Sequence, residues 1–324
     1  MVQIDRRTLL AGSVLGAAAA ALPATPSLAA APLAGKQGPG FYRFKLGDYE
    51  ITAITDGVWV VPVKEQMVRN ASLEQIQQAL SDAYLPKAKL MITFTVLLVN
   101  TGSKLILIDT GTGGKIAPAA GAFEGNLAAA GVDPKAIDTV LISHLHFDHI
   151  NGLKTKDNKL AFPNAEIMVP VPEWKFWMDD AMMNKVPAHA KRYFQNVRRV
   201  FGNIGDNTKH FEPGVEVAPG IKSIAAFGHT PGHTVFQISS GKDSLMALCD
   251  TSGPPALYVR NPDWHSMFDT DPKAAAVTRK KLFDQAASER MLVYGFHYPF
   301  PGTGYIAKDG KGYDFVPSQW SPLL

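Results

Sequence analysis

Apolar residues fall along this chain in short runs separated by Gly, Asp, Asn and Pro, a pattern that favours strands interleaved with amphipathic helices. Phe41 to Leu46 and Tyr49 to Thr55 read as strands joined at Gly47-Asp48, a hairpin signal. Met91 to Val99 and Lys104 to Ile108 are strongly apolar and are split by Asn100-Thr101-Gly102-Ser103, which predicts a buried hairpin. Ser72-Leu73-Glu74-Gln75 has capping-box spacing and opens a helix through about Leu85, with Ile76, Leu80 and Tyr84 on one face. A second helix runs from Phe123 to Ala130 and closes at Gly131. Thr139 to Ile142 is a short buried strand, and Pro170 to Phe201 reads as two helices carrying an aromatic and Met stripe that belongs to a core. Strands follow at Ile221 to Phe227, His233 to Ser239 and Ser244 to Cys249, then a helix from Pro272 to Ser288 and a strand at Met291 to Tyr294. Strands and helices occur in both halves without an interdomain linker, so the expected fold is α+β, with two sheet layers and outer helices in a single domain.

Composition narrows the picture. The chain has 324 residues, 46% hydrophobic and 19% charged, enough to bury a sizeable core. Its formal charge of +3 comes without a Lys/Arg block that would track phosphates, which argues against nucleic acid as a partner. Cys249 is the single cysteine, so no disulfide forms within the chain. Residues 1–30 read as a twin-arginine-type signal peptide. Arg6-Arg7 precedes an Ala/Leu-rich run from Leu9 to Leu22, and Ser27-Leu28-Ala29 resembles a cleavage site. The run is too short for a lasting membrane span. The expected product is periplasmic or secreted, with a flexible segment over 31–40 and the functional domain over 41–324.

The chemistry concentrates at strand ends. Ser143-His144-Leu145-His146-Phe147-Asp148-His149 places three imidazoles and a carboxylate directly after an apolar strand, and these are the usual ligand types of zinc-like ions. Three further places offer the same chemistry. Gly228-His229-Thr230-Pro231-Gly232-His233 is a tight turn delivering a His to a strand start, Asp250 ends the strand Leu245 to Cys249, and His297 follows the strand Met291 to Tyr294.

These residues, with Asp109-Thr110-Gly111 and in this order, resemble the metallo-β-lactamase superfamily over nearly the whole mature chain. The resemblance implies a four-layer αββα sandwich with a dinuclear metal site at one edge. It implies that His144, His146 and His233 hold one divalent ion, that Asp148, His149 and His297 hold the second, and that Asp250 bridges the two with a hydroxide. The ions would be zinc, with manganese, iron or cobalt as alternatives. Asp109 would orient a ligand His from outside the metal shell, His229 would shape its turn, and Asp148 and Asp250 would be the catalytic carboxylates. His189, His210 and His265 lie outside the pattern.

Within the superfamily the chain is most similar to the methyl parathion hydrolase group, through Gly40 to Arg43, Gly47 to Ala53, the Gly228 to Thr234 turn, Phe300-Pro301-Gly302 and Gly312 to Pro317. That resemblance implies hydrolysis of phosphotriesters, a homodimer, and a substrate pocket at Ile116, Trp177 and Phe194. The rival is N-acyl homoserine lactone hydrolysis. Those lactonases carry a Tyr three residues after the bridging Asp, where this chain has Gly253, and an aryloxide leaving group needs less acid assistance than a lactone alkoxide. A glyoxalase II-like thioesterase, a β-lactamase and a di-iron redox protein share parts of the pattern. Export, the full HxHxDH set and the lack of a flavin domain argue against each in turn.

Overall fold

Leu245, Ala247 and Cys249 pack into one core while Met246 and Leu248, between them, pack into another, and all five are fully buried. A strand with two apolar faces needs a layer on each side. The computed structural model, which describes residues 33–202, 204 and 208–324, supplies those layers, and residues Pro39–Leu324 form one compact unit. The signal peptide read over 1–30 lies outside the described residues. Among them, no helix is long and apolar enough to cross a membrane.

One sheet runs in chain order through β1 (Phe41–Leu46), β2 (Tyr49–Pro62), β3 (Lys89–Asn100), β4 (Leu105–Ile108), β5 (Thr139–Leu141), β6 (Glu166–Pro170) and β7 (Thr208–Phe211). Its pairing is antiparallel up to β4 and parallel from β4 to β7. The second sheet is built from β8 (Glu216–Ala218), β9 (Ile221–Ala225), β10 (Thr234–Ser240), β11 (Asp243–Cys249), β12 (Leu292–Gly295), β13 (Thr303–Asp309) and β14 (Gly312–Pro317), in the order β14-β13-β12-β11-β10-β9-β8. Only its β11–β12 pair is parallel.

Parallel neighbours require crossovers, and helices fill them. The helices are α1 (Leu73–Asp82), α2 (Phe123–Ala129), α3 (Phe147–Ile150), α4 (Val171–Met178), α5 (Asp180–Lys185), α6 (Ala188–Phe201), α7 (Pro255–Tyr258) and α8 (Pro272–Ser288). Ile76, Leu80, Leu127, Phe194 and Val197 of α1, α2 and α6 share a core with Val96, Leu98, Val140 and Ile167 of the first sheet. Leu282 and Phe283 of α8 do the same with Val235, Met246, Leu248 and Val293 of the second. Between the sheets lie Ile51, Leu97, Ile106, Phe236, Ile238 and Tyr294. Each such side chain contributes about 1.5–3 kcal/mol by leaving water. The architecture is the αββα sandwich expected from sequence.

Three expectations change. The Ser72/Gln75 capping box is present and Ile76 and Leu80 are buried, but the helix stops at Asp82. Tyr84 then takes a positive φ of 56° that turns its ring out, leaving it 98% exposed. Pro170 to Phe201 is three helices, because Asp179 ends α4 and caps α5 with its own carboxylate, and Pro187 precedes α6. The hairpin β13–β14 was not anticipated from the apolar pattern. Its apolar residues Tyr305, Ile306, Ala307, Tyr313, Phe315 and Val316 are broken up by Gly304, Lys308, Asp309 and Asp314.

The first sheet's β4 and β5 and the second sheet's β11 and β12 end at one edge of the sandwich. Asp109, the run from Ser143, Asp250 and His297 follow those ends directly, and the β9–β10 turn brings Gly228 to His233 beside them.

Candidate active site

The loop after β5 and the short α3 are fixed from outside by buried hydrogen bonds. Asp109 sits at a positive φ of 60° and receives the Ser143 amide on one oxygen at 2.8 Å. Its other oxygen accepts the Ser143 hydroxyl and the His149 Nδ1–H, each at 2.8 Å. The sequence reading of Asp109 as an orienting carboxylate therefore matches its position. With that hydroxyl hydrogen committed to Asp109, Ser143 Oγ accepts from His144 Nδ1 at 3.0 Å. His297 donates from Nδ1 to the Thr93 carbonyl at 2.8 Å, and His229 donates from Nδ1 to Asp269 at 2.9 Å. In all four imidazoles the outward nitrogen donates a proton, so the inward Nε2 turns its lone pair toward whichever cation, proton or metal, occupies the site.

Those lone pairs converge. His146 Nδ1 lies 3.0 Å from both His144 Nε2 and His229 Nε2. Asp148, His149 and His297 form a second group whose donor atoms all lie within 4.8 Å of one another. Between the groups stands Asp250, with Oδ2 at 3.1 Å from His297 Nε2 and 3.3 Å from His229 Nε2, and Oδ1 at 3.2 Å from His149 Nε2. His149 Nε2 and Asp250 Oδ1 are buried without a hydrogen-bond partner. Lone pairs and carboxylates facing one another away from water are stable only around cations, so this donor set fits metal ions.

The electrostatics divide the same way. Burial, reinforced by neighbouring imidazoles, holds His144 and His146 neutral, well below the usual histidine range. Burial also disfavours the charged form of His149, but Asp250, Asp109 and Asp148 outweigh it and raise its pKa well above that range. At Asp250 burial pushes the carboxyl up, yet His297 and His149 outweigh it and keep it ionised.

His233 is corrected by the structure. Both its ring nitrogens are engaged with backbone: Nδ1 bonds the Ala226 carbonyl at 3.0 Å, and Nε2 accepts the Asp250 amide at 3.1 Å. Neither faces the other donors, and burial drives its pKa down to about 3. His229, read from sequence as a turn-shaping residue, takes the place in the cluster, while His233 holds the Asp250 backbone.

Sequence reasoning missed Glu173. Fully buried on α4, it accepts the Leu145 amide at 3.0 Å, the Gly232 amide at 2.7 Å and the Trp177 indole N–H at 2.7 Å. One carboxylate thus ties the loop bearing His144 and His146 to the turn bearing His229. Gly232 permits the approach, since a Cβ there would lie 2.3 Å from the Glu173 nitrogen. The only sequence signal is a single acid in a mostly apolar helix whose one other charge is Lys175.

A cavity of about 470 Å³ opens over the cluster, lined by His146, Asp148, His229, Asp250 and His297 together with Ile116, Phe147, Tyr193 and Tyr258. Of the expected pocket residues, Ile116 lies here. Trp177 and Phe194 line an adjoining cavity of about 610 Å³ and are themselves 5% and 1% exposed. Glu173 pins the Trp177 indole back, and Tyr193, packed 5.4 Å from the His146 ring, faces both cavities, as Trp59 and Phe268 do. At Gly253 an added Cβ would meet the Tyr258 ring at 3.2 Å, so Tyr258 fills the space a side chain there would take. Its hydroxyl donates to the Met67 carbonyl, and burial pushes its pKa to about 12.

Cys249 adjoins Asp250 but is not a nucleophile. It is fully buried, and burial first, then Asp109 and Asp250, raise its thiol well above the usual value. We expect no reaction with a thiol-titrating disulfide reagent in the native protein and one equivalent after denaturation. Rapid native labelling would contradict the burial described.

The sequence profile described as the Metallo-beta-lactamase superfamily matches residues 90–297. An N-acyl homoserine lactonase from a Bacillus species is 26% identical over 171 residues, 53% of this chain and 60% of the relative's length. The N-acyl homoserine lactonase of Bacillus thuringiensis is 23% identical over 68% of this chain and 86% of its own. Among solved structures, AidC, a dizinc quorum-quenching lactonase in complex with a product, has a TM-score of 0.83 and 29% identity over 87% of this chain and 98% of its own. The hydrolase AbOPH of the beta lactamase superfamily has a TM-score of 0.83 and 30% identity over 88% of this chain and 100% of its own.

Proposed function

This chain belongs to the metallo-beta-lactamase superfamily, and from that premise we propose that it is a dinuclear-metal hydrolase of lactones, with N-acyl homoserine lactones as the leading substrate class. The observation that carries the hydrolase reading is the convergence of imidazole and carboxylate donors around Asp250 beneath an open cavity. The similarity to lactonases supports the substrate class.

His144, His146 and His229 would hold one divalent ion, zinc as in the similar dizinc lactonase, and Asp148, His149 and His297 the other, with Asp250 between them. When bound, the ions supply Lewis acidity, lowering the pKa of water to near neutrality and polarising the attacked oxygen. The chain's own residues do the rest. Asp109, Ser143, Thr93 and Asp269 hold the outward ring nitrogens as donors, so that the inward nitrogens are the ones aimed at the metal positions. Asp148, 17% exposed and facing the cavity, accepts the proton of the attacking water and returns it to the leaving alkoxide. Ile116, Tyr193 and Phe147 wall off water around the ester.

Phosphotriester hydrolysis, as in the methyl parathion hydrolase group, is the second reading. Gly253 and the engaged hydroxyl of Tyr258 favour it, because neither offers a free phenol to assist a poor leaving group. The deciding experiment is kcat/KM for N-acyl homoserine lactones, aryl phosphotriesters and simple aryl esters on one preparation of known metal content. We expect lactones to lead. Faster phosphotriester turnover would install the second reading, and turnover of none would end the hydrolase proposal. Export through the twin-arginine leader and a homodimeric state belong to the same proposal. N-terminal sequencing of protein recovered from the periplasm, and its mass in solution, test them.

A further inference from the structure

The cavity over the donor cluster has one wall unlike the rest. Lys115 and Arg199 line it together with Asn151 and Asn196. Asn196 and Arg199 are three residues apart on α6 and so share a helix face. Arg199 is held in place: its Nη2 donates to Asn151 Oδ1 and to Asn196 Oδ1, each at 2.7 Å. Its remaining guanidinium donors make no bond within the described residues. Because the Asn196 oxygen is used by Arg199, its amide nitrogen is turned away, and that nitrogen is buried with no hydrogen-bond partner. Lys154 stands close by and is only 3% exposed. Among the described residues no carboxylate pairs with Lys115, Lys154 or Arg199, whereas Arg43, Arg198, Arg260 and Arg279 all have acidic partners. Lys115 and Lys154 each sit below the ordinary lysine range, through burial first and then the nearby Arg199 charge. Like charges held together beside a cavity, with unspent donors, await an anion.

We propose that Lys115, Arg199 and Asn196 form a subsite for a carboxylate carried by the substrate away from its scissile bond, so that the enzyme prefers an anionic ester or lactone over a neutral one of the same shape. A carboxylate fits because one of its oxygens can accept a charge-assisted bond from a free Nη1 hydrogen of Arg199, whose Nη2 hydrogens are taken by Asn151 and Asn196, and the Asn196 amide and Lys115 ammonium can satisfy its other lone pairs. The inference rests on the hydrolase reading and adds a selectivity that metal chemistry alone does not provide.

The test compares two esters of similar shape on the full-length, metal-loaded protein: para-nitrophenyl butyrate and the para-nitrophenyl monoester of glutaric acid. We expect kcat/KM to favour the glutarate ester by about tenfold or more, the order that a charge-assisted hydrogen bond is worth. That preference should shrink as salt is added, since Arg199 and Lys115 are exposed to solvent. Lys115→Gln and Arg199→Gln should each cut the ratio severalfold, and Arg199→Glu should invert it. Lys115→Gln guards against misfolding, because the Lys115 side chain makes no hydrogen bond within the described residues. Equal kcat/KM for the two esters, or a preference that survives both substitutions, overturns the subsite while leaving the hydrolase reading intact. Turnover of neither ester by a preparation that hydrolyses N-acyl homoserine lactones overturns the subsite alone, and turnover of no lactone either overturns the hydrolase reading with it.

Discussion

Asp250→Ala should leave a folded chain that binds metal poorly and loses activity by more than the ~10–100-fold that follows loss of a group merely supporting a ligand. Asp250 is the one side chain within 3.3 Å of three imidazoles drawn from both halves of the donor cluster. Removing its charge leaves lone pairs facing one another and two like-charged ions without an anion between them. The backbone around it should persist, because the Asp250 amide, not its carboxylate, bonds His233. Metal content and kcat/KM of the purified variant check this, with circular dichroism to confirm the fold. A variant that keeps both ions and full activity would remove Asp250 from the centre of the account.

The turn after β9 provides the second large effect, a contrast between two histidines four residues apart. His229→Ala removes a nitrogen 3.0 Å from His146 Nδ1 and 3.3 Å from Asp250. It should cost one ion and more than ~100-fold in kcat/KM, with little change in the stability of the metal-free chain. His233→Ala removes two backbone hydrogen bonds and leaves a cavity in a fully buried place, so it should cost about 3 kcal/mol of stability. Metal stoichiometry should stay at two, with activity reduced only as far as Asp250 shifts. Metal analysis and urea unfolding of both variants separate the effects. The reverse outcome, with His233→Ala losing an ion and His229→Ala merely unstable, would restore the reading made from sequence.

That contrast also marks how far the sequence could be read. The run from His144 to His149 was legible because its donors are packed into six residues after an apolar strand, where spacing alone forces them onto one loop. The αββα layering was legible from doubly apolar strands such as Leu245 to Cys249. The choice between His229 and His233 was not, since it depends on which way a Pro-Gly turn faces and on partners far along the chain. Asp269 claims His229 from 40 residues away, and the Asp250 amide claims His233 from 17. His233 did carry one hint: it adjoins the apolar strand Thr234–Ser240, where side chains are drawn into backbone networks. Glu173 was hidden for a related reason. Its bonds to Leu145 and Gly232 span 28 and 59 residues, and no local pattern announces a carboxylate whose partners are distant amides. Trp177, expected in the metal-facing pocket, lines the adjoining cavity because Glu173 holds its indole, and Tyr193, part of the stripe expected in the core, faces both cavities.

The most direct test is anomalous diffraction at the zinc absorption edge from crystals of the zinc-loaded protein. The account predicts two peaks, one among His144, His146 and His229 and the other among Asp148, His149 and His297, with Asp250 touching both. A single peak, or one bonded to the His233 ring, would contradict it.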